Sequence, residues 1–385
     1  MGDVPDRSSD AVVASPARAF LVESLFVRAL DLDRLRALEP RLPWRSAVDA
    51  AIAALVPGML HQAAVAAGLD ARPREGERRR LLAARMWTGA RAATLVREAV
   101  RVQAALREAG VESVVLKGVA LAALDPGYGA LRVTSDVDLL VRPGDLPACE
   151  AVLRTLGCTR VPDFRAPDGR PFAPGGDDRS GPPHAVPYLT PGGALVEPHF
   201  DLPGRPWTRP EDLDAMWART RLVPASGGTL RVPSLEDLLG ICCHHALVQH
   251  AGEAVILPRH VADVHVLGAL GADAVEAARW YDTPCVRPVH DSLALVQRTR
   301  AAAGRARFPA GPVERAFSPR WRPVTRAIHA ARHGAATLRA YGLRALLPHP
   351  AFLSARYRVR AGSPLVPLLY LWRPIRALAR IVAGR

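Results

Sequence analysis

At 385 residues, with 49% hydrophobic and 23% charged side chains, the chain is long enough for two or three domains and too apolar to remain disordered. Five cysteines, an odd number without regular spacing, argue against a disulfide framework and suit a reducing cytoplasm. The formal net charge of +14 resides wholly in residues 315–385, which carry 14 Arg and no Lys, Asp or Glu; the remaining 37 basic residues equal the 37 acidic ones.

The opening residues, MGDVPDRSSD, hold acids and no apolar segment, so no secretory signal is expected, and Asp6 breaks the myristoylation pattern. Residues 17–109 read as helical, and a composition rich in Ala, Leu and Arg predicts that helices outweigh strands. The clearest stretch is 81–109. There Leu82, Met86, Ala93, Val96 and Val100 recur at helical spacing, Gly89 falls on the same face, and Gly110 is the predicted stop.

The character changes at residue 111. Ser113–Leu116 (SVVL) reads as a buried strand, 118–124 as one or two helical turns, and Val137–Val141 (VDLLV) as a second strand. A helix is expected over 145–157, with Asp145 near its start and Gly157 as its stop. Residues 162–187, dense in Pro, Gly and Asp, read as a long loop. ALVEPHFDL (194–202) reads as a further strand, which Pro198 assigns to a sheet edge or a bulge.

Ser234, with Asp237 three residues on, is the expected N-cap of a helix over 235–250, and another helix follows over 260–270. The last predicted helix, 371–382, puts Leu371, Ile375, Leu378 and Val382 on one face and Arg373, Arg376 and Arg380 elsewhere. The apolar runs near the C-terminus, such as 364–372, are too short to span a bilayer. These shifts divide the chain into an N-terminal helical region (1–109), a core (110–230) and a C-terminal helical, Arg-rich region (231–385).

The chemistry centres on SDVDLLV (135–141). Residues i and i+2 of a strand share a face, so Asp136 and Asp138 lie side by side while Val137 and Leu139 face the core. Paired carboxylates repel unless a cation lies between them, and oxygen ligands of this kind suit Mg²⁺ or Mn²⁺. A lone Asp-x-Asp would equally be a polar turn. Here a strand also runs into Lys117-Gly118 and a helix, a turn that presents backbone N–H groups to an anion. Lys117 is the only lysine beside 50 arginines, which marks a position where a compact charge serves and a planar fork does not. Arg132 is placed to neutralise a phosphate or to pair with the aspartates. Downstream, alternation puts Glu197, His199 and Asp201 on one face, with Glu197 as the third metal ligand or general base.

Two other clusters read as structural. Cys242-Cys243-His244-His245 fans around a helix and cannot converge on one zinc ion. Arg259 and Asp263 read as an ordinary i,i+4 pair.

VVLKGVALA (114–122), Arg132, SDVDLLVRPGDL (135–146), VEPHFDL (196–202) and VPSLEDLL (232–239) together resemble the nucleotidyltransferase superfamily, and within it the poorly characterised nucleotidyltransferase family 5. The resemblance spans roughly residues 20–280. It implies a polymerase-beta-like α/β (α+β) core with a small mixed sheet, flanked by helical regions. It implies that Asp136 and Asp138 bind divalent metal, with Glu197 as the third acid, and that an NTP is the donor. Lys117, Gly118, Arg132, Ser135 and His199 are then the candidates for contact with the nucleotide. The Gly-Ser turn of many superfamily members is replaced here by Lys117-Gly118, a form that looks typical of this branch, and Ser135 stands where a glycine often precedes the first Asp.

The expected activity is Mg²⁺-dependent transfer of a nucleoside monophosphate, from ATP or another NTP, to a hydroxyl or phosphate of an acceptor. Sugar or phosphoryl transfer from a nucleotide-activated donor is the first alternative. A non-catalytic module bound to anions or a membrane is the second. The basic end suits an anionic acceptor, peripheral membrane contact, or simple solvation of a helical face. Nucleic acid is disfavoured, because no recognition motif accompanies the arginines.

Overall fold

In the computed structural model, residues 16–161, 187–199, 210–249, 258–282 and 287–303 are described. The predicted loop at 162–187 except its last residue, Asp201 and the helix at 371–382 lie outside the described residues.

Four short helices, α1 (Pro16–Ser24), α2 (Leu32–Leu38), α3 (Trp44–Ala53) and α4 (Pro57–Ala66), lead to the long α5 (Glu75–Glu108). Gly110, at φ 74°, ends α5: its N–H donates to Arg107 and the Val111 N–H to Leu106, closing the last turn as a glycine stop does. The predicted face of α5 is wrong in its first half. Leu82 and Met86 are exposed, and the buried seam runs through Leu81, Thr88, Ala92, Leu95, Ala99, Val102 and Leu106. Its spacing of seven, then alternating four and three residues, holds one side of a helix, and Leu82 and Met86 stand a step off that side.

The strands β1 (Ser113–Val115), β2 (Asp136–Val141), β3 (Thr159–Arg160), β4 (Tyr188–Leu189) and β5 (Leu195–His199) form a mixed sheet in the order β1-β2-β5-β4-β3. β2 and β5 run parallel, and the other neighbours are antiparallel. Between β1 and β2 lie α6 (Lys117–Leu124) and α7 (Pro126–Gly129), and α8 (Leu146–Thr155) follows β2. Pro198 therefore sits in an interior strand, not at an edge. Among the described residues, pairing with β4 ends at Val196, two residues before Pro198.

α9 (Pro210–Ala218) and the hairpin β6 (Arg221–Ala225) and β7 (Gly228–Val232) lead to α10 (Leu235–His244). Ser234 caps α10 as predicted, its Oγ accepting the Asp237 N–H at 3.1 Å. The expected helix to residue 250 instead changes to a π turn over His245–Gln249. α11 (Pro258–Ala269), α12 (Ala274–Tyr281) and α13 (Pro288–Ala303) complete the described chain.

Val115, Val137, Leu139, Val141 and Val196 share one core cluster with α5 residues and with helices at both ends of the chain, from Ala17 to Leu295. Gln103 on α5 ties this layer together, donating to Ser113 O at 2.9 Å and accepting the Arg231 N–H at 2.8 Å. The opposite face of the sheet is apolar at one end, where Val114, Leu116 and Leu140 pack with Met216, Trp217 and Ile241. At its other end the same face carries the acids. Among the described residues, no helix is long and apolar enough to cross a membrane.

Candidate active site

The parallel register of β2 and β5 sets Asp136 opposite Leu195, Asp138 opposite Glu197 and Leu140 opposite His199. Alternation then brings Asp136, Asp138, Glu197 and His199 to one face, as the sequence predicts. Asp138, Glu197 and His199 each offer a ligand atom within 4.8 Å of the others. Asp136, at the start of β2, is half-buried, and exposed Ser135 donates to its Oδ2 at 2.8 Å.

Lys117 supplies the charge at the centre. It opens α6 with φ 51°, a left-handed conformation that costs a side-chain-bearing residue about 1–2 kcal/mol. Its Nζ donates to Asp138 Oδ1 at 2.8 Å, and both groups are buried. Lys117 is therefore bound to the carboxylate it was expected to stand beside. Gly118 is explained by the segment that crosses it: a Cβ there would lie 2.8 and 2.9 Å from Thr134 Cγ2 and Oγ1 and would press on Arg132 Nη1. Its role is close approach of the chain leading into Asp136.

His199 is buried and its Nε2 lies 2.7 Å from Asp138 Oδ1. Burial pulls its pKa down, so the neutral ring donates Nε2–H to the carboxylate. Burial acting alone would raise the Asp138 pKa. The Lys117 charge and the His199 hydrogen bond outweigh it and hold the carboxyl well below the usual range. Glu197 goes the other way: burial, then the charges of Asp138 and Asp136, push its pKa up to about 7. Two neighbouring carboxylates with divergent titration make this face the candidate functional site.

The site fits a hard divalent cation. Asp138 uses one oxygen for Lys117 and His199; its Oδ2 and both Glu197 oxygens make no hydrogen bond among the described residues. Open carboxylate oxygens on adjacent strands, with His199 beside them, could hold a divalent cation. His199 would first have to move its proton to Nδ1 to offer Nε2.

Arg132 pairs with another carboxylate and not with the aspartates. It is fully engaged with Asp263 on α11, through Nε at 2.6 Å and Nη2 at 2.9 Å, and Tyr128 donates to the same Asp263 Oδ1 at 2.6 Å. This replaces the predicted Arg259–Asp263 pair: the bidentate fit of a guanidinium 131 residues away outcompetes the neighbour on the helix. No periodicity in the sequence signals that contact, and the buried Tyr128–Asp263–Arg132 triad is the feature that sequence reasoning missed. VPSLEDLL (232–239) also has a structural task, since Asp237 accepts two hydrogen bonds from Arg219, at 2.9 and 2.7 Å. Arg142 pairs with Asp214 at 2.8 Å and lies over the Trp217 ring, which holds α9 against the end of β2. The cysteines at 242 and 243 are buried core residues.

Neither a curated protein nor a solved structure matches the chain. Its mixed α/β architecture and its strand-borne acids agree with one family, described as uncharacterised nucleotidyltransferase, which residues 40–300 match, and the chain belongs to that family.

Proposed function

We propose that this protein transfers a nucleoside monophosphate from an NTP to a hydroxyl or phosphate of an acceptor, with Mg²⁺ or Mn²⁺ held by Asp136, Asp138 and Glu197. The observation that carries the reading is the pairing of Asp138 with Glu197 across parallel strands, with unengaged oxygens and opposed pKa shifts. When bound, the cation would neutralise phosphate charge and acidify the acceptor hydroxyl. Lys117 and His199 keep Asp138 ionised and fix its orientation. Without a cation Glu197 has a pKa of about 7; the bound ion would lower it, so that Glu197 holds the metal as a carboxylate and the acceptor's proton passes to solvent. The acceptor oxygen attacks the α-phosphorus, the bond to the bridging oxygen breaks, and pyrophosphate leaves. Leu140, on the same face of β2 as Asp138, packs with Met216 and Trp217.

The test is a panel of NTPs with Mg²⁺ or Mn²⁺, reading pyrophosphate release and product mass against candidate acceptors. A nucleoside monophosphate increment supports the proposal, whereas a hexose or lone phosphate increment moves the activity to the sugar- or phosphoryl-transfer alternative. Asp138→Asn is expected to lower turnover by at least about 100-fold, the scale of losing a group that stabilises transition-state charge. Full activity in Asp136→Asn and Asp138→Asn would refute the reading.

The segregation of 14 arginines into residues 315–385 favours an accessory contact with an anionic surface. Co-sedimentation with anionic vesicles is expected to fall when residues 364–385 are removed, and equal binding would exclude membrane contact through that segment.

A further inference from the structure

The cations expected to grip a substrate's phosphates are already occupied. Lys117 is bound to Asp138 and Arg132 to Asp263. Arg91 donates to two backbone carbonyls, Ser135 O at 2.8 Å and Gly193 O at 3.1 Å. Arg259, in the first turn of α11, differs. Its one hydrogen bond among the described residues is a long one, Nη1 to Val133 O at 3.4 Å. Its Nε is buried without an acceptor, and no carboxylate among the described residues pairs with it.

A guanidinium has five N–H donors in a planar fork, and four of these have no acceptor among the described residues. Removing such a charge from water without a counterion is costly, and an unsatisfied buried donor calls for an explanation. The neighbours accentuate the problem. Burial, then the adjacent Arg132 charge, pull the Arg259 pKa down, and Asp263 and Asp136 only partly offset them. The carboxylate that should neutralise Arg259, Asp263, is taken by Arg132 and Tyr128. Arg259 also sits where an anion would be useful. Its contact with Val133 places it beside the segment that crosses Gly118 and enters β2 at Asp136.

We infer that Arg259 is the phosphate-binding cation of this site, its open fork receiving phosphate oxygens of the nucleoside triphosphate on the Asp136 side of the carboxylate cluster. The assignment rests on reading the site as one for a polyphosphate substrate. A phosphate offers Arg259 the bidentate, charge-assisted geometry that the protein withholds. The same fork would accept inorganic tripolyphosphate, so the ligand's source is separable by experiment.

The test uses the full-length protein with Mg²⁺ present, titrated calorimetrically with sodium tripolyphosphate, ATP and adenosine. The wild type is expected to bind the first two. Arg259→Gln should weaken both by about 10- to 100-fold, the range of lost hydrogen bonds to a charged group. Arg259→Lys should recover part of the loss. Adenosine, lacking phosphate, should not distinguish the variants. Because Arg259 serves no carboxylate in the fold, the Gln variant should melt no lower than the wild type. Unchanged affinity in Arg259→Gln, no tripolyphosphate binding by the wild type, or a Gln variant that melts lower or fails to fold would each overturn the assignment. The outcomes separate the two readings. Arg259-dependent tripolyphosphate binding without nucleotidyl transfer retains the anion site and refutes the proposed activity. Nucleotidyl transfer by Arg259→Gln at an unchanged KM does the reverse.

Discussion

Asp138 divides its two oxygens between the protein and the open site, and this division follows from single residues that the sequence displays. The spacing of Asp136 and Asp138, and of Glu197 and His199, is the two-residue period of a strand, so their common face is legible without a structure. Lys117 is legible for another reason, as the lone lysine among arginines. Its place beside the aspartates is expected too, but the left-handed turn that sets it there is a backbone choice that no pattern of polarity encodes. Glu197 supplies the residue-scale prediction. Its folded pKa of about 7 exceeds the ordinary 4.5, so the folded protein holds this proton more tightly than the unfolded chain does. The resulting stability is complete below pH 4.5 and is lost as the pH rises to about 7. Glu197→Gln cannot ionise. It is expected to match the wild type at pH 4 and to exceed it by about 2–3 kcal/mol at pH 8. Denaturant unfolding at the two pH values checks this, and parallel pH slopes would contradict it. Mg²⁺ or Mn²⁺ should stabilise the wild type at pH 8 and leave the variant nearly unaffected. Asp138 acts in the opposite sense, its contribution disappearing only as the pH falls below the ordinary 3.8.

Whole elements were readable where one residue type sets a boundary, and misread where neighbours decide. Gly110, Gly157 and Ser234 end or start helices as their chemistry requires, two through a positive φ and one through its hydroxyl. The face of α5 and the place of β5 depend on what packs against them. Leu82 and Met86 are apolar at helical spacing, yet the sheet meets the Leu95–Ala99–Val102 side. Pro198 signals an edge, yet β5 has β2 on one side and β4 on the other, with described pairing to β4 at Leu195 and Val196. The Arg132–Asp263 contact joins α11 to the segment before β2, and it is the element-scale device that fixes the approach to Asp136. Asp263→Asn leaves a buried guanidinium uncompensated, so a loss of about 3–5 kcal/mol is expected. Removing both charges in Arg132→Met/Asp263→Leu should restore much of it, because apolar replacements of similar volume avoid the desolvation cost. A double-mutant cycle in urea measures the coupling. Additive losses would mean that the pair does not act as a unit. The single Asp263→Asn change should also lower turnover, since the chain over Gly118 would no longer be held.

At the scale of the molecule, composition reveals where the chain changes character but not whether the parts depend on one another. Residue 110 is a true transition from helix to sheet, and Ser234 from hairpin to helix. The core ignores both. Val137, Leu139 and Val196 on the sheet, Leu95 and Leu106 on α5, and Leu238 and Val266 on the later helices belong to one buried cluster. The face of the sheet opposite the acids is covered by α5, which lies in the N-terminal helical region, and Asp263, which fixes Arg132, lies in the C-terminal one. A fragment of residues 110–230 would expose Val115, Val137, Leu139, Val141 and Val196, all fully buried in the whole chain. At about 1.5–3 kcal/mol for each large apolar side chain, that exposure approaches or exceeds the net stability of an ordinary domain. The nucleotidyltransferase core is therefore expected not to fold alone. The isolated 110–230 fragment should give no cooperative thermal transition, whereas the full chain should show α1–α4 and β2/β5 losing amide protection together as denaturant rises. A cooperative melt of the fragment, or early exchange confined to α1–α4, would instead make the sheet an autonomous unit on which the flanking helices merely rest.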